Sequence, residues 1–198
     1  MEFKKFLSFA IFIIIIISSN NSVYSIEPDI FVQSTVNRAS QALDDKFSKK
    51  EKIDKLKSIA KETVDIQGIS FYTLGSYRKN LSDEEKKEYT KLFEQYFLKS
   101  FSSRLAEYSN PHIEVQSKKK LNENYTMVSS VLVATEMRPE VKIDWRIYTK
   151  NIENPLIRDL IIEGLSLART QKEEFSSIIE NNDGNIQALF DTLKEFIK

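Results

Sequence analysis

Apolar residues recur at steps of three and four through the first half of the chain. Between Ile30 and Phe47 the positions are Val32, Val36, Ala39, Leu43 and Phe47, one stripe on a helix. Ile53, Leu56, Ala60 and Val64 write a second helix. Gln67-Gly68 predicts a break before a short third stretch containing Tyr72, Leu74 and Tyr77. Ser82-Asp83-Glu84-Glu85 is a capping box, in which Ser82 accepts from an orphan amide and Glu85 reaches back to the cap. The helix it opens extends to about Tyr108, with Tyr89, Phe93, Tyr96, Phe97, Phe101, Leu105 and Tyr108 on its apolar face. Asn110-Pro111 closes it.

The period then falls to two. Ile113 to Gln116 predicts a short strand, and Tyr125 to Thr135 a longer one rich in β-branched residues. Val141, Ile143, Trp145 and Ile147 alternate with Lys142, Asp144, Arg146 and Tyr148, as in a half-buried strand. Leu156 to Glu163 predicts a fourth strand, ended by Gly164. Ser166 caps a helix carrying Ala168, Phe175, Ile178 and Ile179, and Asp183-Gly184 precedes a last helix through Phe196. Helices, consecutive strands and helices again give an α+β fold with an antiparallel sheet of about four strands.

The first 25 residues stand apart. Lys4 and Lys5 precede an apolar run from Phe6 to Ile17, and Val23-Tyr24-Ser25 offers small residues where a signal peptidase reads. The run is shorter than the roughly 20 residues a membrane-spanning helix needs. The expectation is a signal peptide over residues 1–25, cleaved after Ser25, and one domain over 26–198 outside the cytoplasm. With no Cys in the sequence, neither a disulfide nor a lipid-modified cysteine is available to that domain.

Composition narrows the chemistry. Lys and Arg together number 29, as do Asp and Glu, which argues against nucleic acid as a partner. His112 is the sole imidazole and no Gly-rich phosphate loop appears, so neither catalysis nor a metal site is expected, and no cofactor. Lys118-Lys119-Lys120 is placed at a hairpin tip. Asp159 is in position to pair with Arg146 across neighbouring strands, either as a surface ion pair or, with Asp144 and Glu163, as a cluster at a cavity mouth. The abundant apolar side chains serve equally to fill a core or to line a hollow.

Several segments carry a family likeness. Tyr72-Thr73-Leu74-Gly75-Ser76-Tyr77-Arg78, the capped helix from Ser82 through Tyr108, and the strand Val141 to Tyr148 form part of it. The most distinctive stretch is Arg158-Asp159-Leu160-Ile161-Ile162-Glu163-Gly164-Leu165-Ser166-Leu167, followed by Lys172, Glu173, Phe175 and Asp183-Gly184. In order and spacing these resemble the MlaC, or toluene-tolerance, family of periplasmic phospholipid-binding proteins. Leu165 stands where Val is usual, and Pro155 shortens the turn into the last strand.

The resemblance implies a curved sheet packed with helices around an apolar lipid cavity. It implies a carrier, not an enzyme, that shuttles phospholipid between the outer and inner membranes and maintains lipid asymmetry. The implied partners are an outer-membrane lipoprotein complex and an inner-membrane ABC transporter bearing an MCE-domain ring. On this reading Phe93, Phe97, Phe101, Val131, Val133, Val141, Ile143, Trp145, Ile161 and Leu165 line the cavity, with Val141 and Leu165 nearest its mouth. A different cargo such as a hopanoid, or an isomerase or hydrolase on a similar fold, are the alternatives.

Overall fold

The computed structural model describes residues 25–136 and 138–198. The leader expected over residues 1–25 lies, Ser25 apart, outside them. Helix α1 (Pro28–Ala42) begins on a proline, whose missing N–H costs nothing in a first turn. Helix α2 (Lys49–Thr63) opens with a capping box between Ser48 and Glu51 that the apolar pattern alone did not reveal. Helix α3 (Ile66–Thr73) follows, then a 3₁₀ turn (Tyr77–Lys79) and the long helix α4 (Asp83–Leu105), which carries the expected Ser82–Glu85 box. Strands β1 (Ile113–Asn122), β2 (Tyr125–Leu132), β3 (Val141–Tyr148), β4 (Leu156–Ile162) and β5 (Leu165–Ser166) form an antiparallel meander in that order. Helices α5 (Leu167–Glu180) and α6 (Ile186–Ile197) complete the chain.

The fold is α+β with a curved open sheet, as expected. Its bends coincide with register shifts in β1 and between β3 and β4, where one strand carries an extra residue. Two local expectations change. Lys118, Lys119 and Lys120 lie within β1, and the hairpin tip falls at Glu123-Asn124. As an exposed edge strand, β1 gains from lysines that discourage pairing with a foreign strand. Lys118 also holds Glu27 and Asp29 at the start of α1, and its ammonium lowers the Asp29 pKa.

The predicted break at Gln67-Gly68 sits instead at Val64-Asp65. There the backbone leaves α2, forms a parallel bridge from Val64 to Ile157, and donates from Asp65 N to the Ile157 carbonyl at 2.9 Å. The Asp65 carboxylate caps α3 by accepting from Gly68 N at 2.8 Å. It also accepts from Arg158 Nε at 2.5 Å, and Arg158 continues to the Tyr125 hydroxyl and over the Tyr148 ring. Gly68 is inside the helix because the guanidinium lies against it. A Cβ there would stand 2.5 Å from Arg158 Nε and 2.6 Å from Asp65 Oδ2.

Two stability tests follow from these contacts. Gly68→Ala should cost about 1–2 kcal/mol in urea unfolding, because displacing the Arg158–Asp65 pair outweighs the helix preference of alanine. In an Arg158→Met background the same change should be neutral or stabilising; a persistent loss would show that the guanidinium is not the obstacle. The second concerns the capping boxes. The Ser48 hydroxyl and amide hold Glu51, and the Ser82 amide and hydroxyl hold Glu85, below the ordinary carboxyl value of 4.5. Their contribution is therefore complete above that value and lost as pH falls through the lower folded-state values. A Glu51→Gln, Glu85→Gln protein should lose less stability than the parent between pH 7 and pH 3, measured as the shift in urea midpoint.

Candidate functional site

The buried apolar residues form three clusters. The largest joins α3, α4, α5 and α6 around Tyr89, Phe93, Phe175 and Phe190. A second joins α1 to one face of the sheet through Val32, Val36, Val128, Ile143, Trp145 and Ile147. A third, small one binds α1, α2 and the end of α4 around Leu43 and Leu56. Val64, at the break between α2 and α3, packs against both of the first two. A domain of this size ordinarily has one contiguous core with minor satellites, so the division between a helical layer and a sheet layer is a feature of this molecule.

On the helical side, spacing along α4 builds a ladder of rings. Phe93 stacks on Phe97 at 6.2 Å between centroids, and Phe97 on Phe101 at 5.3 Å with 11° between planes. Residues four apart share a helix face, which brings these three rings together. Phe93 is buried, while Phe97 and Phe101 are half-buried. Tyr89 continues the row and stacks on Phe190. Its hydroxyl meets the Thr73 hydroxyl at 2.8 Å, and burial pushes its phenol pKa up. Burial, then the nearby Glu174 carboxylate, also raises Tyr96. Both phenols thus stay neutral in the apolar layer.

On the sheet side, register assigns the faces. Ile143 pairs with Ser130 on β2 and Ile162 on β4, and Ile162 pairs with Leu165 on β5. Val141, Ile143, Trp145 and Leu165 therefore share the face covered by α1 at the β2 side. Leu165 lies at the open end of that row and is 60% exposed. Val131 pairs with Lys142 and Ile161 with Asp144, which puts both on the opposite face. Val131 is nonetheless buried there, and Ile161 half-buried. Val133 lies beyond the end of β2, half-buried, its amide bonded to the His112 carbonyl. The ten predicted residues thus divide between the ring ladder, the β3 row with Leu165, and a remainder on the other face or past the strand.

Residues outside that set complete the α1-covered face: Val128, Leu132, Leu160 and Ile162. Alternation on β2 is obscured because its buried positions include Thr126 and Ser130. Ser130 is buried for a reason visible only in three dimensions. Its hydroxyl accepts the Trp145 indole N–H at 2.8 Å and donates to the Ile143 carbonyl. A buried indole N–H without an acceptor is costly, so a serine takes an apolar position.

The polar residues weighed for chemistry have structural partners. Asp159 does pair across the strands with Arg146, at 3.5 Å, but its carboxylate is buried. Oδ2 accepts from Ser166 Oγ at 2.6 Å and Oδ1 from Ala168 N at 3.0 Å, which anchors the start of α5. Ser166 in turn accepts from Arg169 N as the N-cap. Asp144 accepts from Ser129 Oγ, and Glu163 from Lys142 N, closing the turn at Glu163-Gly164, both residues at positive φ. His112 is exposed beside Glu114. Among the described residues no group of three or more His, Asp or Glu is arranged to hold a metal ion. No helix among them is long and apolar enough to cross a membrane.

Surface depressions among the described residues include one of about 540 Å³ around Tyr72, Arg169, Lys172 and Glu180 and one of about 440 Å³ around Ile30, Gln33 and Arg38, and none of the ten predicted residues lines either.

Comparison with known proteins rests on this geometry. No curated protein sequence matches the chain. Among solved structures the chain is similar to the phospholipid-binding protein from Ralstonia solanacearum, determined in complex with a phospholipid. The TM-score is 0.74 at 15% identity, over 87% of this chain and 97% of that one, so the two share a fold. The family model described as MlaC protein matches residues 33–195. That span takes in both apolar layers and the Arg158–Leu167 segment that ties them together, and the chain belongs to the MlaC family.

Proposed function

We propose that this protein is a periplasmic phospholipid carrier, exported by a signal peptide cleaved after Ser25, and not an enzyme. The observation that carries the reading is the family match across both layers. The solved neighbour that shares the fold was determined holding a phospholipid, which supports the same ligand class here. The divided interior supports it as well, since half-buried apolar side chains such as Phe97, Phe101, Val141 and Leu160 occur on both layers.

A diacyl lipid exposes about 30 methylenes, each costing about 0.8 kcal/mol in water. A carrier must replace most of that burial with its own surface, in a space of roughly 800–1,000 Å³. In the proposed arrangement the acyl chains run between the ladder Phe93, Phe97, Phe101 and the row Val141, Ile143, Trp145, with Leu165 at the mouth. Val131, Val133 and Ile161 border the site from the far face and the end of β2. Transfer requires only that the layers part against a partner and that binding be no tighter than the acceptor's. The partners proposed are an outer-membrane lipoprotein complex and an inner-membrane ABC transporter with an MCE-domain ring, and the physiological result is maintained lipid asymmetry.

Native mass spectrometry of the exported protein should show it with one or more phospholipids bound. A preparation that carries no lipid and takes none up from vesicles would overturn the proposal; bound hopanoid would change the cargo. Trp145, the single tryptophan, provides a position test. Its fluorescence should be strongly quenched by phospholipid brominated on the acyl chains and little changed by headgroup-labelled lipid. Ile143→Asn should lower affinity about tenfold or more by placing an amide against the chains. Leu165→Glu, at an exposed position, should fold normally yet lower lipid occupancy; full occupancy would remove Leu165 from the mouth.

A further inference from the structure

Strands β2 and β3 are joined by residues 133–140, at the same end of the sheet as the Glu163-Gly164 turn and Leu165. Within that connection Thr135 and Arg138 face each other as an antiparallel bridge. Thr135 N donates to the Arg138 carbonyl at 2.8 Å, and Arg138 N to the Thr135 carbonyl at 3.2 Å. The backbone of Arg138 is thereby held against that of Thr135. Its guanidinium lies over the Tyr108 ring at 5.5 Å. Tyr108 lies just past the end of α4, so this contact joins the β2–β3 connection to the C-terminal end of the helix that carries the ring ladder.

One donor of this half-buried guanidinium lacks a partner. Arg138 Nε is buried and has no hydrogen-bond acceptor among the described residues. The neighbouring carboxylates Glu136 and Glu140 are exposed. A buried donor on a permanently charged group costs more than an ordinary unpaired amide, and such groups are ordinarily paired. The other arginines on the sheet are paired: Arg146 with Asp159 and Arg158 with Asp65. Nε with a terminal nitrogen forms the planar fork that matches two oxygens of a phosphate.

We infer that Arg138 is a binding residue for the phosphate of the carried phospholipid's headgroup, held at the proposed cavity mouth by Tyr108 and the Thr135–Arg138 bridge. This rests on the carrier reading and adds to it a polar contact that orients the lipid, chains inward along Phe101, Phe97 and Phe93. It also gives the site a preference for phosphate-bearing lipids over neutral ones with the same chains.

The test titrates delipidated full protein with short-chain phosphatidylglycerol, with diacylglycerol of identical chains, and with inorganic phosphate. Arg138→Gln should weaken phosphatidylglycerol binding by about 10- to 100-fold, the worth of a charge-assisted hydrogen bond. It should change diacylglycerol binding less than about twofold. Arg138→Lys, which keeps the charge but loses the fork, should fall between. Should Arg138→Gln not fold, Tyr108→Leu leaves the arginine in place and should weaken phosphatidylglycerol alone, by a smaller factor.

Equal weakening of both lipids would make Arg138 a structural residue, and no weakening of either would end its role; both overturn the inference. Inorganic phosphate bound by the parent and lost in Arg138→Gln, with lipid affinity unchanged, would assign the site to free phosphate and also overturn it. If the parent binds neither lipid, the carrier reading itself fails, and this inference with it. That outcome is read from the parent alone and is distinct from a failure of Arg138.

Discussion

The edge of strand β4 is where the sheet is joined to α3 and α5, and the polar contacts made there hold the layers together. An unpaired strand edge must find partners. Two adjacent residues of this strand also reach different helices with their side chains. Arg158 takes Asp65 at the start of α3, while Asp159 accepts from the Ser166 hydroxyl and the Ala168 amide of α5. Val64 and Asp65 cover the backbone at Ile157, and the short strand β5 covers Ile161 and Ile162. Polar contacts thus make the joint at this edge, where the two large apolar clusters share Val64, while the third cluster ties α1 to α2 and the end of α4 elsewhere.

That division of labour suits the proposed carrier, whose interior would have to accept a ligand. A core filled to ordinary density resists insertion, because each added methylene forces side chains off their preferred rotamers. Two layers that are each packed within themselves, and joined by polar contacts at the β4 edge and by the small cluster of α1, α2 and the end of α4, can shift against one another with their own cores kept. The helical layer is self-sufficient in this sense: Tyr89, Phe93, Phe175 and Phe190 pack ring on ring among four helices. The sheet layer is closed by α1.

How much of this was legible in the sequence depended on whether the determining interaction was local. The Ser82–Glu85 box and the Ser166 cap are set by residues within one helical turn, and both stand as read. The β3 alternation from Val141 to Tyr148 matches its strand to the residue. The parity of β2 was not legible, since Ser130 occupies a buried position only to satisfy the Trp145 indole across the strand pair. This is why Val131 reads as a lining residue yet falls on the opposite face. The break near Gly68 was misplaced for a similar reason. Glycine usually marks chain freedom, but here it marks the close approach of Arg158, 90 residues along the chain. Of the candidate site, the ring ladder was legible from spacing of four along α4. The buried Nε of Arg138 was not, because a lone arginine in a loop gives no sign in sequence of being covered.

The placement of charge completes the picture. A lipid carrier meets two demands that oppose each other: an interior without polar groups, so that acyl chains are welcome, and some polar contact, so that the lipid enters in one orientation. In this protein the charged side chains near the two layers are paired where elements join. Arg158 and Asp65 lie at the β4 edge, Asp159 and Arg146 at the foot of α5, Lys118 with Glu27 and Asp29 at the start of α1. Each of these cations has its anion. Arg138, packed over Tyr108 with a buried Nε that has no acceptor among the described residues, differs from that set. In a site with greasy walls, one open guanidinium at the rim is sufficient to fix which end of an amphiphile faces out, since a phosphate drawn deeper would forfeit its hydration and gain no second partner.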